Sequence, residues 1–246
     1  MIKKLDKYTY VGGTRYMDNG SRNYEVAGYR LPSVTTILGR TKDDTFLKDW
    51  IKKKGKKEAE RIKTASAVRG TSMHKYLENY VLGKGYEDLT ELGQETKRMA
   101  EKVIEVGLAP VSGYFGSEVT VYYPGLYAGS TDLVGIHNDK ETIIDFKQAN
   151  RPKREEWITD YKLQVAGYAM AHDYVHGSHI KQAVIMICTP DLYYQEFKVQ
   201  YDELRRWKHK FLARVNQYYE MIHDPKEQAD VNTAELLEDF EKMAQK

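Results

Sequence analysis

The chain has 246 residues, 41% of them apolar, and a formal net charge of only +2. That size and composition fit one globular domain with appended helices, and they exclude fibrous and fully disordered proteins. Because Cys188 is the single cysteine, a disulfide framework and an iron–sulfur or zinc site built on several thiolates are excluded. No segment has the apolar length of a membrane span or of a secretory leader. We therefore expect a cytoplasmic protein, in the host cytoplasm if it is phage-encoded, without a membrane partner.

The N-terminal region is rich in strand-forming residues that are interrupted by turn signals. Strands are predicted at 8–11 and 24–29, which would add a β-hairpin to the main fold. Ser33 is suited to cap a short helix through Leu38.

A basic helical segment follows within the predicted helical region 44–82. Residues 47–63 contain eight basic residues against three acidic ones, and Gly55 interrupts their helical pattern. A further helix is predicted at 71–81. The basic surface suits a phosphate backbone, although a solvated helix face has the same composition. The candidate phosphate contacts in this segment are Lys52, Lys53, Lys54, Lys56 and Lys57.

The rest of the chain alternates strands and helices, which predicts the mixed α/β class. Predicted strands lie at 117–123, 126–136, 141–147, 182–188 and 193–199. Predicted helices lie at 89–107, 155–175 and 201–222. A single domain is expected to span 1–225. The acidic remainder, 226–246, has apolar residues at helical spacing and is predicted to be a helix that either packs on the domain or docks on a replication or recombination protein.

Two carboxylates are predicted to face each other on the hairpin formed by 126–136 and 141–147. If 137–140 is a four-residue loop, Asp132 lies directly opposite Asp145, with β-carbons roughly 4.5–5.5 Å apart. Ionised carboxylates at that distance repel each other, and a divalent cation relieves the repulsion. Lys147 shares a strand face with Asp145. This arrangement predicts a Mg²⁺ or Mn²⁺ site suited to phosphodiester hydrolysis.

Each motif is ambiguous when it is taken alone. An Asp-x-Lys triplet is equally typical of a solvated strand face. The backbone carbonyl of Phe146 is a further oxygen ligand to consider, and Glu118 on the preceding strand can approach the site from a third strand. Gln164 and Tyr168 are four residues apart and share one helix face, which by itself is ordinary helix surface.

The ordered set of motifs resembles the RecB-like branch of the PD-(D/E)XK nuclease superfamily. It consists of Gly-x-x-Asp132, Asp145-x-Lys147 and Gln164-x-x-x-Tyr168, preceded by 69–78, which resembles the branch's histidine-containing first motif. Residues 31–35 resemble the lead-in of exonucleases of mitochondrial genome maintenance and of phages. The resemblance covers about residues 31–200. Asp145 stands where many superfamily members have glutamate, a variation that is common in this branch.

The resemblance implies a restriction-endonuclease-like core, with a mixed central β-sheet flanked by helices and the metal at its centre. It implies metal ligation by His74, Asp132 and Asp145, catalysis by Lys147, and support of the lysine or the DNA backbone by Gln164 and Tyr168. Arg69 would hold a phosphate near the metal. We expect 44–66 to form a helical arch inserted over the site, with DNA contacts from the five lysines at 52–57.

The expected function is that of a metal-dependent DNA exonuclease acting on single-stranded DNA or DNA ends in replication, recombination or repair. Two alternatives stay open. One is a structure-specific endonuclease of the same fold that cuts flap or branched DNA. The other is a non-catalytic DNA-binding module.

Overall fold

The computed structural model describes residues 2–222. The acidic helix predicted at 226–246 lies outside the described residues. The strands are β1 (Lys3–Lys4), β2 (Thr14–Asp18), β3 (Ser21–Val26), β4 (Tyr29–Pro32), β5 (Val111–Tyr123), β6 (Tyr127–His137), β7 (Lys140–Gln148), β8 (Gln182–Cys188) and β9 (Tyr194–Gln200). The helices are α1 (Val34–Thr41), α2 (Thr45–Lys54), α3 (Lys56–Val81), α4 (Glu91–Lys102), α5 (Thr159–His176) and α6 (Tyr201–Ile222). None of these helices is long and apolar enough to cross a membrane.

A mixed sheet forms the centre of the described chain, with the strand order β1-β5-β6-β7-β8-β9. β5, β6 and β7 are an antiparallel meander, whereas β7 and β8 run parallel and are connected through α5. Helices α1, α5 and α6 cover one face and α3 and α4 cover the other. Every residue of β8 is buried, as expected for a strand that has helices on both of its faces. The predicted mixed sheet flanked by helices is confirmed.

The N-terminal strand predictions are partly wrong. Tyr8 and Tyr10 lie in an irregular segment and pack against the ring of His172 instead of forming a strand. The strand predicted at 24–29 is split by a two-residue turn of positive φ, a backbone suited to tight hairpins. The turn residues are Ala27 (φ 49°) and Gly28 (φ 82°). The result is a small antiparallel sheet, β2-β3-β4, beside the central sheet.

The helical predictions hold with two corrections. Ser33 caps α1 as predicted, because its hydroxyl accepts a 2.9 Å hydrogen bond from the Thr36 N–H. Gly55, with φ 81°, separates α2 from α3. The separate helix predicted at 71–81 is wrong, since α3 continues unbroken from the basic segment. The helix predicted at 89–107 ends as an α-helix at Lys102 and closes with a wider π-helical turn.

The hairpin between β6 and β7 keeps the predicted register with a shorter loop. His137 also pairs with Lys140, so two residues form the turn instead of four. They are Asn138 (φ 48°) and Asp139 (φ 61°), residue types that tolerate positive φ. The pairing of Ile136 with Glu141 is as predicted.

Candidate active site

A cleft of about 1020 Å³ lies between α3 and the small sheet, at the end of the hairpin opposite its turn. Pockets for drug-sized ligands measure roughly 300–1,000 Å³, so the cleft lies at the upper limit of that range and is large enough for a short polymer segment. Its lining includes His74 from α3, Glu118, Asp132 and Lys147 from three neighbouring strands, and Gln164 and Tyr168 from α5. The structure thus brings together residues that are far apart in sequence.

Three carboxylates occupy one row across β5, β6 and β7. Paired residues flank Glu118 and Asp132 on both sides, so these two lie opposite each other. On the other side of β6 the predicted register is confirmed as far as Leu133 and Ile144, and Asp132 and Asp145 follow at the next position. There the ladder ends, and the Phe146 N–H donates a 2.6 Å hydrogen bond to Asp132 Oδ2.

The imidazole of His74 faces two of these carboxylates. Its Nδ1 lies 3.4 Å from Asp132 Oδ1 and 3.8 Å from Glu118 Oε1, and the three side chains offer ligand atoms that all lie within 4.8 Å of one another. One imidazole nitrogen and two carboxylate oxygens suit a divalent cation such as Mn²⁺. The structure therefore joins His74, Asp132 and Glu118 as a candidate metal triad.

Asp145 contacts Lys147 instead of joining that triad. Its carboxylate is 1% exposed and forms an ion pair with the Lys147 ammonium group, whose nitrogen also lies 5.3 Å from the centroid of the Tyr161 ring. Burial lowers the pKa of Lys147, but Asp145 and Asp132 outweigh this effect and leave the pKa raised. Lys147 is therefore a fixed positive charge beside the acidic row.

The acidic row is electrostatically frustrated. Burial and the charge of Asp132 raise the pKa of Asp145 to about 6, although Lys147 and His74 oppose the shift. For Asp132, burial acts in the same upward direction but is outweighed by His74, so its pKa is lowered. Burial lowers the pKa of His74, yet Asp132 and Glu118 raise it to about 10. Ionising all of these adjacent carboxylates is unfavourable because their charges repel each other. A bound cation relieves that repulsion.

Gln164 and Tyr168 form part of the cleft wall. The Gln164 amide donates a 2.8 Å hydrogen bond to the Tyr168 hydroxyl. The Tyr168 ring also explains the glycine of Gly-x-x-Asp132, because a β-carbon at Gly129 would lie 2.5 Å from a Tyr168 ring carbon. The glycine lets α5 approach the sheet closely at the site.

The predicted DNA contacts lie away from the cleft lining or are engaged elsewhere. The five lysines at 52–57 are exposed on α2 and the start of α3. Lys57 precedes Ala67, where the lining of α3 begins, by about 15 Å of helix. Arg69 donates from Nε to Glu95 at 2.7 Å and from a terminal nitrogen to Asn150 at 2.9 Å. Their roles in DNA binding stay predictions.

Sequence reasoning missed one wall of the cleft. Arg15, Arg22 and Tyr24 of the small sheet line it together with Ser33 and Thr35 at the start of α1. No local pattern marks Arg15, Arg22 or Tyr24, since only the packing of the small sheet on the central sheet, through Ala128, brings them to the site.

No family model matches the chain. Mitochondrial genome maintenance exonuclease 1 of Xenopus tropicalis is 26% identical over 182 residues, covering 70% of this chain and 52% of that protein. The chain thus spans about half the length of the curated relative it matches. An exonuclease candidate from Eubacterium rectale has a TM-score of 0.45, 11% identity, and coverage of 68% of this chain and 73% of that chain. A phage related exonuclease from Haemophilus somnus has a TM-score of 0.33, 15% identity, and coverage of 64% and 81%.

Proposed function

We propose that this chain is a metal-dependent DNA exonuclease that hydrolyses phosphodiester bonds in linear single-stranded DNA or at DNA ends. The supporting observation is the acidic row of Glu118, Asp132 and Asp145, whose two aspartates are buried, flanked by His74 and Lys147 at the floor of a large cleft. The relative named as an exonuclease adds support over 70% of the chain. Replication, recombination or repair of DNA is the process such an activity would serve.

The donor set fits a hard divalent cation, Mg²⁺ or Mn²⁺. His74, Asp132 and Glu118 would hold it, with Asp145 and the Phe146 carbonyl as further oxygen donors in the same row. When bound, the cation would supply an acidified water and positive charge against a phosphate oxygen. The residues present therefore account for both the ligands and the charge that such a cation needs.

The protein's own side chains divide the remaining work. Lys147, held by Asp145, places a partly buried positive charge where negative charge grows on the phosphate during hydrolysis. The Phe146 N–H fixes the orientation of the Asp132 carboxylate. The Gln164 amide and the Tyr168 hydroxyl, bonded to each other, offer polar atoms to the strand that enters the cleft.

Digestion of labelled DNA tests the proposal. Linear single-stranded DNA, duplex DNA and circular single-stranded DNA are incubated with Mg²⁺, Mn²⁺ or EDTA. We expect linear strands to be degraded with metal, EDTA to abolish degradation, and circles to stay intact. Cut circles, or cleavage confined to flap or branched DNA, would favour the endonuclease alternative. DNA binding without cleavage under either metal would favour the non-catalytic module.

A matched pair of variants links the activity to the site. Asp145→Asn removes one charge from the acidic row, whereas Asp139→Asn makes the same chemical change at the exposed turn of the same hairpin. We expect only Asp145→Asn to abolish cleavage while DNA binding is retained. Equal activity of the two variants would place the chemistry elsewhere.

We also propose that 44–66 lies over the path of the DNA and binds its backbone through the five lysines at 52–57. Replacing them with glutamine should weaken the binding of single-stranded DNA and reduce its salt dependence, because fewer counterions are released. Unchanged binding and an unchanged salt dependence would overturn this assignment.

A further inference from the structure

The positive charges that line the cleft differ in whether an acidic partner neutralises them. Lys147 is paired with Asp145, and Lys75 is paired with Glu78 at 3.0 Å. Within residues 2–222, Arg15 and Arg22 are lining cations without a carboxylate inside 4.0 Å. Both belong to the small sheet. Once the acidic row holds a cation, this wall is left with excess positive charge that faces the cleft.

The main chain of Arg22 is fixed at three points by the start of α1. Its N–H donates to Thr36 Oγ1 at 3.0 Å, and its carbonyl accepts from the Thr36 hydroxyl at 2.7 Å and from the Ser33 N–H at 3.0 Å. Only the side chain remains to be ordered when a ligand binds, which lowers the entropic cost of binding. Such support is typical of residues that position a ligand.

Tyr24 relates the two arginines to the acidic row. It is 4% exposed and packs on Leu31 and Ala128, which ties the small sheet to β6. Burial raises the pKa of Tyr24, the charges of Arg22 and Arg15 oppose the shift, and Glu118 adds to it. Tyr24, both arginines and Glu118 all line the same cleft.

We propose that Arg22 and Arg15 form a phosphate clamp, in which the small sheet binds the backbone of a DNA strand whose neighbouring phosphate lies at the acidic row. This rests on the proposed nuclease function. A guanidinium group matches two oxygens of a phosphate in a planar, bidentate geometry. The clamp contacts the backbone and not the bases, so it positions the strand without selecting its sequence.

Binding of a fluorescein-labelled oligothymidylate, measured by anisotropy with Mn²⁺ in the cleavage-defective Asp145→Asn background, tests the clamp. The variants are Arg22→Gln and Arg15→Gln. Arg30→Gln is the matched control, because Arg30 lies on the same sheet, has a 79% exposed side chain and is not part of the cleft lining. We expect each clamp variant to bind roughly 5- to 10-fold more weakly and to lower the salt-dependence slope by about 0.7. Arg30→Gln should bind like the wild type.

The clamp is overturned if Arg22→Gln and Arg15→Gln bind DNA like Arg30→Gln with the wild-type salt slope. It is also overturned if they change only the unfolding temperature or the metal affinity, since the arginines would then merely offset the acidic row. Arg22→Lys, which keeps the charge and loses the bidentate geometry, should bind with intermediate affinity. If the wild-type chain cleaves DNA and Arg22→Gln binds it as tightly as the wild type, the clamp alone is refuted. If the wild-type chain never cleaves DNA and Arg22→Gln binds it more weakly, the nuclease function alone is refuted.

Discussion

Two buried polar clusters lie under the same helix, α5, and they differ in whether their charges are satisfied. The first is the acidic row with Lys147, beside Gln164 and Tyr168 in the N-terminal half of the helix. The second surrounds His172 in the C-terminal half. Asp132 and Asp145 of the first cluster are buried, as is His172 of the second, so burial does not distinguish them. The balance of donors, acceptors and charges does.

The His172 cluster is complete without a ligand. The Ser178 hydroxyl donates to Asp173 Oδ1 at 2.7 Å, so it accepts from His172 Nδ1 at 2.7 Å. The Tyr10 hydroxyl then donates to His172 Nε2 at 3.0 Å. Burial lowers the pKa of His172 to about 3, which keeps the ring neutral. Each ring nitrogen has a partner, and no added ion would improve the arrangement.

The acidic row shows the opposite behaviour. Asp132 has neighbouring carboxylates on both adjacent strands, and the pKa of buried Asp145 rises to about 6. Like charges on adjacent strands destabilise a sheet, and a row of three is retained only where something offsets them. The comparison teaches that a buried cluster indicates function when its charges need a partner from outside the chain.

The largest difference between the clusters should appear in catalysis. Lys147→Met removes the fixed charge beside the acidic row and should reduce cleavage of linear single-stranded DNA roughly 10²- to 10³-fold. His172→Gln, which is remote from the cleft lining, should cleave at the wild-type rate at a temperature where both variants are folded. Initial rates of digestion with Mn²⁺ measure both. A comparable loss in the two variants would remove the distinction drawn between the clusters.

Metal binding should stabilise the protein through one cluster only. At a metal concentration of 100 times the dissociation constant, we expect about 2.7 kcal/mol of added stability, because the ion binds the folded chain. Thermal unfolding with and without Mn²⁺ measures the gain. His74→Ala should lose most of it, since it removes the imidazole of the triad, whereas His172→Gln should keep it. An equal gain in both variants would place the ion elsewhere.

The two clusters also differ in how much of their structure the sequence predicts. The β6–β7 register followed from a hairpin count, and it held although the loop was two residues shorter than expected, because pairing His137 with Lys140 extends the ladder without shifting it. The residues of the ordered motifs also lie beside one cleft. Local patterns with fixed geometry were therefore enough to predict that these side chains lie together, while their roles stay predictions.

Long-range packing was not predictable in the same way. Tyr8 and Tyr10 have the composition of a strand, yet their rings and hydroxyls complete the environment of His172, far along the chain. Arg22 is brought to the cleft by the packing of one sheet on another. Contacts between residues that are distant in the sequence determine these positions, and no periodicity in the sequence indicates them.

The His172 cluster should make stability depend on pH. The folded pKa is lowered to about 3, whereas the unfolded value is about 6.5. Between these values the unfolded chain binds a proton that the folded chain does not, so stability is full above the unfolded value and falls as pH decreases. The expected loss from this residue between pH 7 and pH 5 is about 2 kcal/mol. Urea unfolding at both pH values should show a correspondingly smaller loss in His172→Gln. The same loss in both proteins would show that His172 is not the group responsible.

The smallest expected effect concerns the backbone of the acidic row. Glu118 adopts φ 52°, a left-handed conformation that costs a residue with a β-carbon roughly 1–2 kcal/mol. Glu118→Gly should relieve that strain and remove one carboxylate, while Glu118→Ala removes the carboxylate and keeps the strain. We therefore expect the metal-free glycine variant to be more stable than the alanine variant by about 1 kcal/mol, measured by urea unfolding. We also expect both variants to bind Mn²⁺ more weakly than the wild type.

If the glycine variant is no more stable than the alanine variant, Glu118 is not strained. If both variants keep wild-type Mn²⁺ affinity, the carboxylate is not a ligand. The Glu118 carboxylate faces His74 at this strained position. Retention of the strain there indicates that the residue is kept for its carboxylate and not for its strand-forming preference.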